Sequence, residues 1–455
     1  MFYIREKNKE PKKIEYIIDE IIDQYLYADK TTRPWIIGFS GGKDSTVLLL
    51  LVWRALEKIK NQFGILRRPI HVVCNDTLVE NPIIANYVDR QLEKIKETAV
   101  KNDLPIFVHK TIPKLEDSFW VNLIGRGYPV PNNSFRWCTE RLKVKPTQRF
   151  ITEKLNENGE AIILIGTRSD ESATRARSIA KHHKRGNRLT NHPNLPHTYL
   201  YAPIKNLLLE EVWYIINTFK PPWDKDNSEL FNIYTDASAD DYECPTVVTD
   251  KSHRSCGQSR FGCWTCTVVK KDKSMSSLVN NGYPWLKPLL EFRDQLVEER
   301  NNPKYRLPYM RNGKEAHNGM GTYTPEYRAT LLKRLLTIQK NIQEKFPNLK
   351  LISNQELVAI QVIWYRDFIF NFKVSEIYSS IFKKSIDMGV HEENIKKETQ
   401  LLKSICKEDN MFQLIQDHLL LLKNKALLNR KRGLKDDLER RIYKELRLQK
   451  DSSKQ

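Results

Sequence analysis

An apolar run, Trp35-Ile36-Ile37-Gly38-Phe39, passes directly into Ser40-Gly41-Gly42-Lys43-Asp44-Ser45 and then into a helix-forming stretch from Thr46 to about Lys60. A glycine pair between a strand and a helix is where a phosphate site belongs in a doubly wound fold. Glycines let the backbone approach a ligand closely, and a following helix presents unpaired N–H groups and the positive end of its dipole. Ser40 and Ser45 add hydroxyls and Lys43 adds a positive charge, so the segment has the makings of a phosphate-binding loop. Its spacing is too short for the G-x-x-x-x-G-K-[ST] nucleoside-triphosphate loop.

The pattern around this loop repeats. Ile70–Cys74, Ile106–His109 and Ala161–Ile165 read as further strands, and Pro82 to about Lys101 as an amphipathic helix with proline in its first turn. Leu208–Phe219 reads as another helix, broken by Pro221-Pro222-Trp223. Strands alternating with helices predict an α/β fold with a doubly wound, mostly parallel sheet, whose ligand lies beyond the carboxyl ends of the strands. Organisation along the chain is read as a helical lead-in over 1–33, the α/β domain over 34–220, a cysteine-rich metal module over 221–275 and a C-terminal helical domain over 276–455. In the last part, Thr324-Pro325 is a helix start and Ser353-Asn354-Gln355-Glu356 has capping-box form.

The chain carries 75 Lys and Arg against 56 Asp and Glu, a formal charge of +19. That balance favours a polyanionic partner, nucleic acid first, against the plainer alternative of a solvated basic surface. No apolar run approaches the roughly 18–20 residues of a membrane helix. Met1–Ile14 has alternating charges and no apolar core of a secretory signal, so the cytoplasm is the expected location and no membrane partner is expected.

Four of the seven cysteines, Cys244, Cys256, Cys263 and Cys266, are spaced by 12, 7 and 3, and the last two form a C-x-x-C pair. Four thiolates suit a tetrahedral zinc ion or an iron–sulfur cluster. Irregular spacing and the aromatic neighbours Tyr242, Phe261 and Trp264 favour a [4Fe–4S] cluster, with Zn²⁺ as the second choice. Cys138 stands alone between Arg136, Arg141 and Lys143, where positive charge would favour the thiolate; the alternative is a buried structural cysteine. Cys74 ends a core strand and reads as packing.

Several segments resemble known motifs. Ser40–Ser45 resembles the loop of the ATP pyrophosphatase superfamily, whose members cleave ATP between the α- and β-phosphates. Asn75-Asp76-Thr77, with Glu80 and Pro82, is similar to the Asp-Thr motif of phosphoadenylylsulfate (PAPS) reductases, and Gly166-Thr167-Arg168-Ser169-Asp170-Glu171-Ser172 with Arg175 is similar to their Gly-x-Arg-x-x-Glu-Ser-x-x-Arg pattern. Asp76 would orient a ribose or a Mg²⁺-linked water, or else only cap a turn; Arg168 and Arg175 would bind phosphate. With Phe135–Pro146, Pro221–Tyr234 and Cys256–Met275 added, the chain resembles the DndC family of bacterial DNA phosphorothioation systems over roughly residues 10–300. One departure is Asp224 after Trp223, where that family has glycine.

The resemblance implies ATP-dependent replacement of a DNA backbone phosphate oxygen by sulfur, with pyrophosphate and AMP released. It implies ATP, Mg²⁺ and the [4Fe–4S] cluster as cofactors. Double-stranded DNA, a cysteine desulfurase as sulfur donor and other phosphorothioation-complex proteins would be partners. Cys138, Lys43, Asp44, Asp76, Arg168 and Glu171 would carry the chemistry, and Ser40, Gly41, Gly42, Lys43, Asp44, Ser45, Asp76, Arg168 and Arg175 would hold the nucleotide. The basic stretch Arg175, Arg177, Lys181, Lys184, Arg185 and Arg188 would guide DNA phosphates or remain a solvated loop. Alternative readings are a PAPS or adenylylsulfate reductase, a tRNA thiolase and a non-catalytic nucleic-acid-binding subunit.

Overall fold

The computed structural model describes residues 9–27, 33–64, 66–171, 177, 188–237, 262–311, 314–367, 369, 371–386, 400–406, 411, 412, 414 and 415. They fall into two compact units, one within Met1–Lys114 and Pro131–Val297, the other within Leu115–Val130 and Glu298–Gln455.

The first unit is built on six strands: β1 Trp35–Gly38, β2 Ile70–Asn75, β3 Ile106–Thr111, β4 Ala161–Leu164, β5 Leu189–Asn191 and β6 Thr198–Tyr201. Their order is β3-β2-β1-β4-β6-β5, parallel except for the β5–β6 pair. β1 and β4 are buried at every position, which is why they read as unbroken apolar runs and not as alternating ones. Both are inner strands, and a parallel sheet is covered on both faces.

The helices of this unit are α1 Lys9–Leu26, α2 Lys43–Phe63, α3 Pro82–Lys101, α4 Lys145–Asn158, α5 Leu209–Thr218, α6 Ser228–Ala237, α7 Lys273–Asn280 and α8 Lys287–Glu299, the last ending in the second unit's share of the chain. On one sheet face Ile36, Val73, Ile163 and Leu200 pack with Phe150 and Ile151 of α4. Helix α2 begins three residues before the apolar periodicity that predicted it. Lys43, Asp44 and Ser45 are polar, so they break the pattern, yet they are buried in the first turn. Helix α6 lies where an irregular stretch was expected, and the edge strands β5 and β6 carried too short a pattern to be read.

A histidine pair, His71 buried and His109 half-buried, sits between β2, β3 and α4. His71 Nδ1 lies 3.0 Å from His109 Nε2, and both rings contact Phe150. Burial, then the neighbouring charges of His109 and Lys154, push the His71 pKa down to about 4 from an ordinary 6.5. Between those values the unfolded chain takes up a proton that the folded chain refuses, so stability falls as pH drops from 6.5 toward 4, by about 1–2 kcal/mol after solvent screening of this partly exposed pair. His71→Phe is expected to flatten this dependence, read as the difference in urea midpoint between pH 7 and pH 5.

In the second unit, the π-helical turn Val121–Gly125 is enclosed by helices α9 Pro325–Gln343 and α10 Asn354–Arg366, with α11 Val374–Phe382 beyond. Arg328 and Trp364 donate to the Ile124 carbonyl at 2.8 and 2.9 Å, which satisfies an acceptor that the turn leaves open. The expected caps are formed: Thr324 Oγ1 accepts from Tyr327 N, and Ser353 and Glu356 cap each other. No helix among the described residues is long and apolar enough to cross a membrane.

Candidate functional site

The strand order reverses between β1 and β4, and in a doubly wound sheet the carboxyl ends of the two strands at such a reversal are where a ligand crevice belongs. Both sequence motifs lie in the loops leaving these two strands. After β1, Gly41 adopts φ +74°, and a Cβ there would stand 2.5 Å from Val88 Cγ2, so only glycine fits the turn. Gly42 is extended and caps α2 without a side chain. Ser45 Oγ donates to Gly42 O at 2.9 Å and accepts from Ser40 N at 3.3 Å, closing the loop on itself. Ser40 Oγ lies 3.1 Å from Ser45 Oγ.

After β4, Gly166 passes so near α2 that its Cβ would meet Asp44 O at 3.1 Å. Arg168 then reaches across: its Nε donates to Asp44 Oδ1 at 2.6 Å. Lys43 Nζ lies 3.1 Å from the other oxygen of that carboxylate. The Lys43 and Arg168 side chains are only 1% and 2% exposed. Asp44 thus orients two cations from within the first turn of α2, where the helix dipole favours a negative group. Glu171 Oε1 accepts from Arg168 N at 3.1 Å and so closes the second loop. Arg175 lies outside the described residues.

Sequence reasoning passed over Tyr234 as a site residue. From α6 its hydroxyl accepts the Lys43 N–H at 3.2 Å, and Lys43 Nζ lies 5.6 Å from the centre of its ring. A tyrosine 191 residues away in the chain gives no local signal. Asp224, the departure from the family pattern, is well accommodated: its carboxylate binds Lys94 at 2.7 Å and Gln91 Nε2 at 2.8 Å. Gln91 Oε1 in turn accepts from Trp223 Nε1 at 3.0 Å.

A second cluster forms after β2. Asp76 caps Leu78 N at 2.8 Å and pairs with Lys110 at 2.9 Å. Burial opposes the Lys110 charge, but hydrogen bonds to Asp76 and Asp89 outweigh it and hold the ammonium pKa up. Asp76 therefore serves a turn and an ion pair in this structure. Next to it, Thr77 Oγ1 donates to Glu80 at 2.9 Å and lies 3.2 Å from Cys263 Sγ. Glu80 pairs with Cys263 as an antiparallel bridge, and Trp264 N donates to Val79 O at 3.0 Å.

The C-x-x-C segment is thereby fastened to the end of β2. Cys266 N donates to Cys263 O at 3.0 Å, which places both thiols on one turn. Burial, with Glu80 nearby, pushes the Cys263 thiol well up. A bound cation would reverse that balance and favour the thiolate. Two thiols on one turn fit as donors to a cluster or to zinc; Cys244 and Cys256 lie outside the described residues. No group of three or more His, Cys, Asp or Glu that would hold a metal occurs among the described residues.

Arg293 of α8, another residue that sequence reasoning missed, is fully buried and donates to Cys266 O at 2.8 Å, to Lys270 O at 3.0 Å and to Val269 O. Cys138 is half-buried in the first helical turn of the segment that continues through a π-helical stretch, Thr139–Val144, into α4. Asn75 Nδ2 donates to Leu142 O at 3.0 Å, which ties this helix to β2 one residue before Asp76. Cys74 is buried, and burial pushes its thiol far up, as packing in a core strand implies. Of the basic stretch, Arg188 is committed to Asp23 and Glu20 of α1, and Arg177 is exposed. Arg175, Lys181, Lys184 and Arg185 lie outside the described residues.

A model of the phosphoadenosine phosphosulfate reductase domain matches residues 34–269, half of the chain. The chain belongs to this family. For a PAPS reductase-family domain, the matched span covers the sheet, both crevice loops, Cys138 and the C-x-x-C turn. An uncharacterized protein of Methanocaldococcus jannaschii is 31% identical over 148 residues, which are 32% of this chain and 25% of that one. The chain thus matches only a quarter of that relative's length. Among solved structures, PAPS reductase from Candida auris is 14% identical over 48% of this chain and 88% of its own, with a TM-score of 0.27. Candida glabrata FMN adenylyltransferase is 17% identical over 48% of this chain and 62% of its own, with a TM-score of 0.29.

Proposed function

We propose that this chain uses ATP to activate a phosphate oxygen and then transfers sulfur to that phosphorus, with the backbone of double-stranded DNA as acceptor. The observation that supports it most is the Arg168–Asp44 bond, which joins the two loops of the β1/β4 crevice over a glycine turn and a helix N-terminus. Such a crevice suits a triphosphate: backbone N–H groups and fixed cations neutralise charge as pyrophosphate departs. Mg²⁺ would ride largely on the phosphates themselves, since it keeps few protein ligands in sites of this kind.

In this reading a DNA phosphate oxygen attacks the α-phosphorus of ATP, and pyrophosphate leaves. The adenylated phosphotriester now carries AMP as a leaving group, where oxide would have been a very poor one. The terminal sulfur of a persulfide on Cys138, loaded by a cysteine desulfurase, attacks the DNA phosphorus and expels AMP. A second thiol then cuts the S–S bond, leaving sulfur on the phosphate and a disulfide behind. Cys263 and Cys266, with Cys244 and Cys256, would hold an iron–sulfur cluster, which would brace the segment against β2. Other proteins of a phosphorothioation complex would supply target choice.

Pyrophosphate release and sulfur incorporation separate the two halves of the reaction. With ATP, duplex DNA and a desulfurase, Cys138→Ala is expected to keep pyrophosphate release within about twofold and to lose sulfur incorporation by about 100-fold or more. Incorporation that survives in the variant removes Cys138 from the mechanism. Sulfite formed from PAPS, with no pyrophosphate from ATP, would make the chain a reductase instead.

A further inference from the structure

Arg136 is the residue in this unit whose burial is hardest to explain without a ligand. It is 8% exposed, yet among the described residues neither Nε nor Nη1 has a hydrogen-bond partner. Only Nη2 is engaged, by the neutral Asn133 Oδ1 at 3.0 Å. No carboxylate among the described residues pairs with it. A guanidinium taken out of water with most of its donors idle is costly unless something negative meets it. Other buried arginines of this chain show the usual solution. Arg168 has Asp44, and Arg293 has three carbonyls and Asp294.

The surroundings suit an anion. Arg136 immediately precedes the helical segment that starts at Trp137, and its carbonyl accepts from Thr139 N at 3.2 Å. The positive end of that helical segment therefore begins at the residue that carries the guanidinium. The preceding turn is closed on itself: Asn132 Oδ1 accepts from Ser134 N, Ser134 Oγ and Phe135 N at 2.8 to 3.1 Å. Asn133, which accepts from the guanidinium, is exposed, and the bond between them is only part-buried. Cys138 follows two residues later on the first helical turn.

We infer that Arg136 is the core of a second oxyanion site, separate from the Ser40–Ser45 loop, that takes a phosphate or sulfate group of the substrate next to Cys138. Guanidinium is the side chain best matched to a tetrahedral oxyanion, because it offers several donors in one plane. The site holds the acceptor group while the nucleotide occupies the β1/β4 crevice. Its assignment to an acceptor rests on the function proposed above; the existence of an anion site does not.

The full-length chain, purified anaerobically, is first saturated with a non-hydrolysable ATP analogue, so that the crevice is filled. Sodium sulfate or a short DNA duplex is then titrated at constant ionic strength, with melting temperature and equilibrium binding as readouts. Wild type is expected to show a further saturable rise in melting temperature. Arg136→Met is expected to lose it, with binding weaker by about tenfold or more, and Arg136→Lys to keep part of it. Without anion, Arg136→Met should melt no lower than wild type, because an uncompensated buried charge has been removed.

The inference is overturned if the methionine variant keeps the anion response, or if it is destabilised equally with and without anion, as a purely structural arginine would be. Should the methionine variant fail to fold, an unchanged sulfate affinity in Arg136→Lys and Arg136→Gln overturns it as well. Weakening of both sulfate and duplex binding assigns the site to a backbone phosphate; weakening of sulfate alone assigns it to a small sulfate- or phosphate-bearing substrate. Absence of any shift with the ATP analogue would count against the nucleotide crevice and leave the Arg136 comparison readable.

Discussion

Asp44→Ala is expected to destabilise the first unit by about 3–5 kcal/mol and to reduce ATP-dependent pyrophosphate release by about 100-fold or more. The carboxylate bonds Arg168 at 2.6 Å and Lys43 at 3.1 Å, and both cations are almost wholly buried. Its removal leaves two positive groups facing each other without the charge that sets their positions. The cost is that of stranding buried charges, which exceeds the net worth of the ion pairs themselves. Urea unfolding measures the first effect, and a pyrophosphate-release assay the second. Added pyrophosphate is expected to restore part of the lost stability, since it supplies negative charge at the same place. Stability unchanged within about 0.5 kcal/mol would show that the Asp44 bonds do not hold the crevice together.

Arg293→Met should act on the other cluster. The guanidinium gathers the carbonyls of Cys266, Val269 and Lys270 from a helix that begins 21 positions after Cys266, and methionine fills similar volume without a donor. Three part-buried carbonyls would lose their partner, and an unsatisfied acceptor costs about 1–3 kcal/mol where water cannot replace the donor. The expected total is about 3–5 kcal/mol, because water reaches part of the loosened turn. Hydrogen exchange should report faster exchange across residues 263–270, with the β1–β2 core strands protected much as before. Metal content should fall with it if the C-x-x-C turn is a ligand pair, because a turn whose carbonyls are free no longer presents two thiols in one place. Equal loss of protection throughout the unit would mean that Arg293 supports the fold at large and not the cysteine turn.

Much of the first unit was legible because its signals are local. A buried parallel strand is a short unbroken apolar run, and Trp35–Gly38 and Ala161–Leu164 are just that. Pro82 marked the start of α3, and the structure adds the Asn81 cap just before it. Glycines at 41, 42 and 166 stood where chain reversal or close approach admits nothing larger, or where the helix cap needs no side chain. Polar residues inside the first turn of α2 misled the periodicity by three residues, because burial there serves charge pairing and not apolar packing. Arg293 carried no signal, and Tyr234 only ended a segment of the resemblance that assigned it no role; each acts on a backbone group far away in sequence.

By itself, then, the sequence determined the alternation of strands and helices, the strand–loop–helix element at Ser40–Ser45 and the chemical types gathered at its motifs, since these depend on neighbours within about one turn or one strand. Tertiary structure alone decided that β1 and β4 stand side by side, so that Arg168 meets Asp44 over 124 positions of chain. It also decided that residues 115–130 fold with the C-terminal helices, and that Cys263 is fastened to Thr77 and Glu80. Such pairings depend on strand order and on which buried donor finds which acceptor, and those are settled only when the whole chain closes around one core.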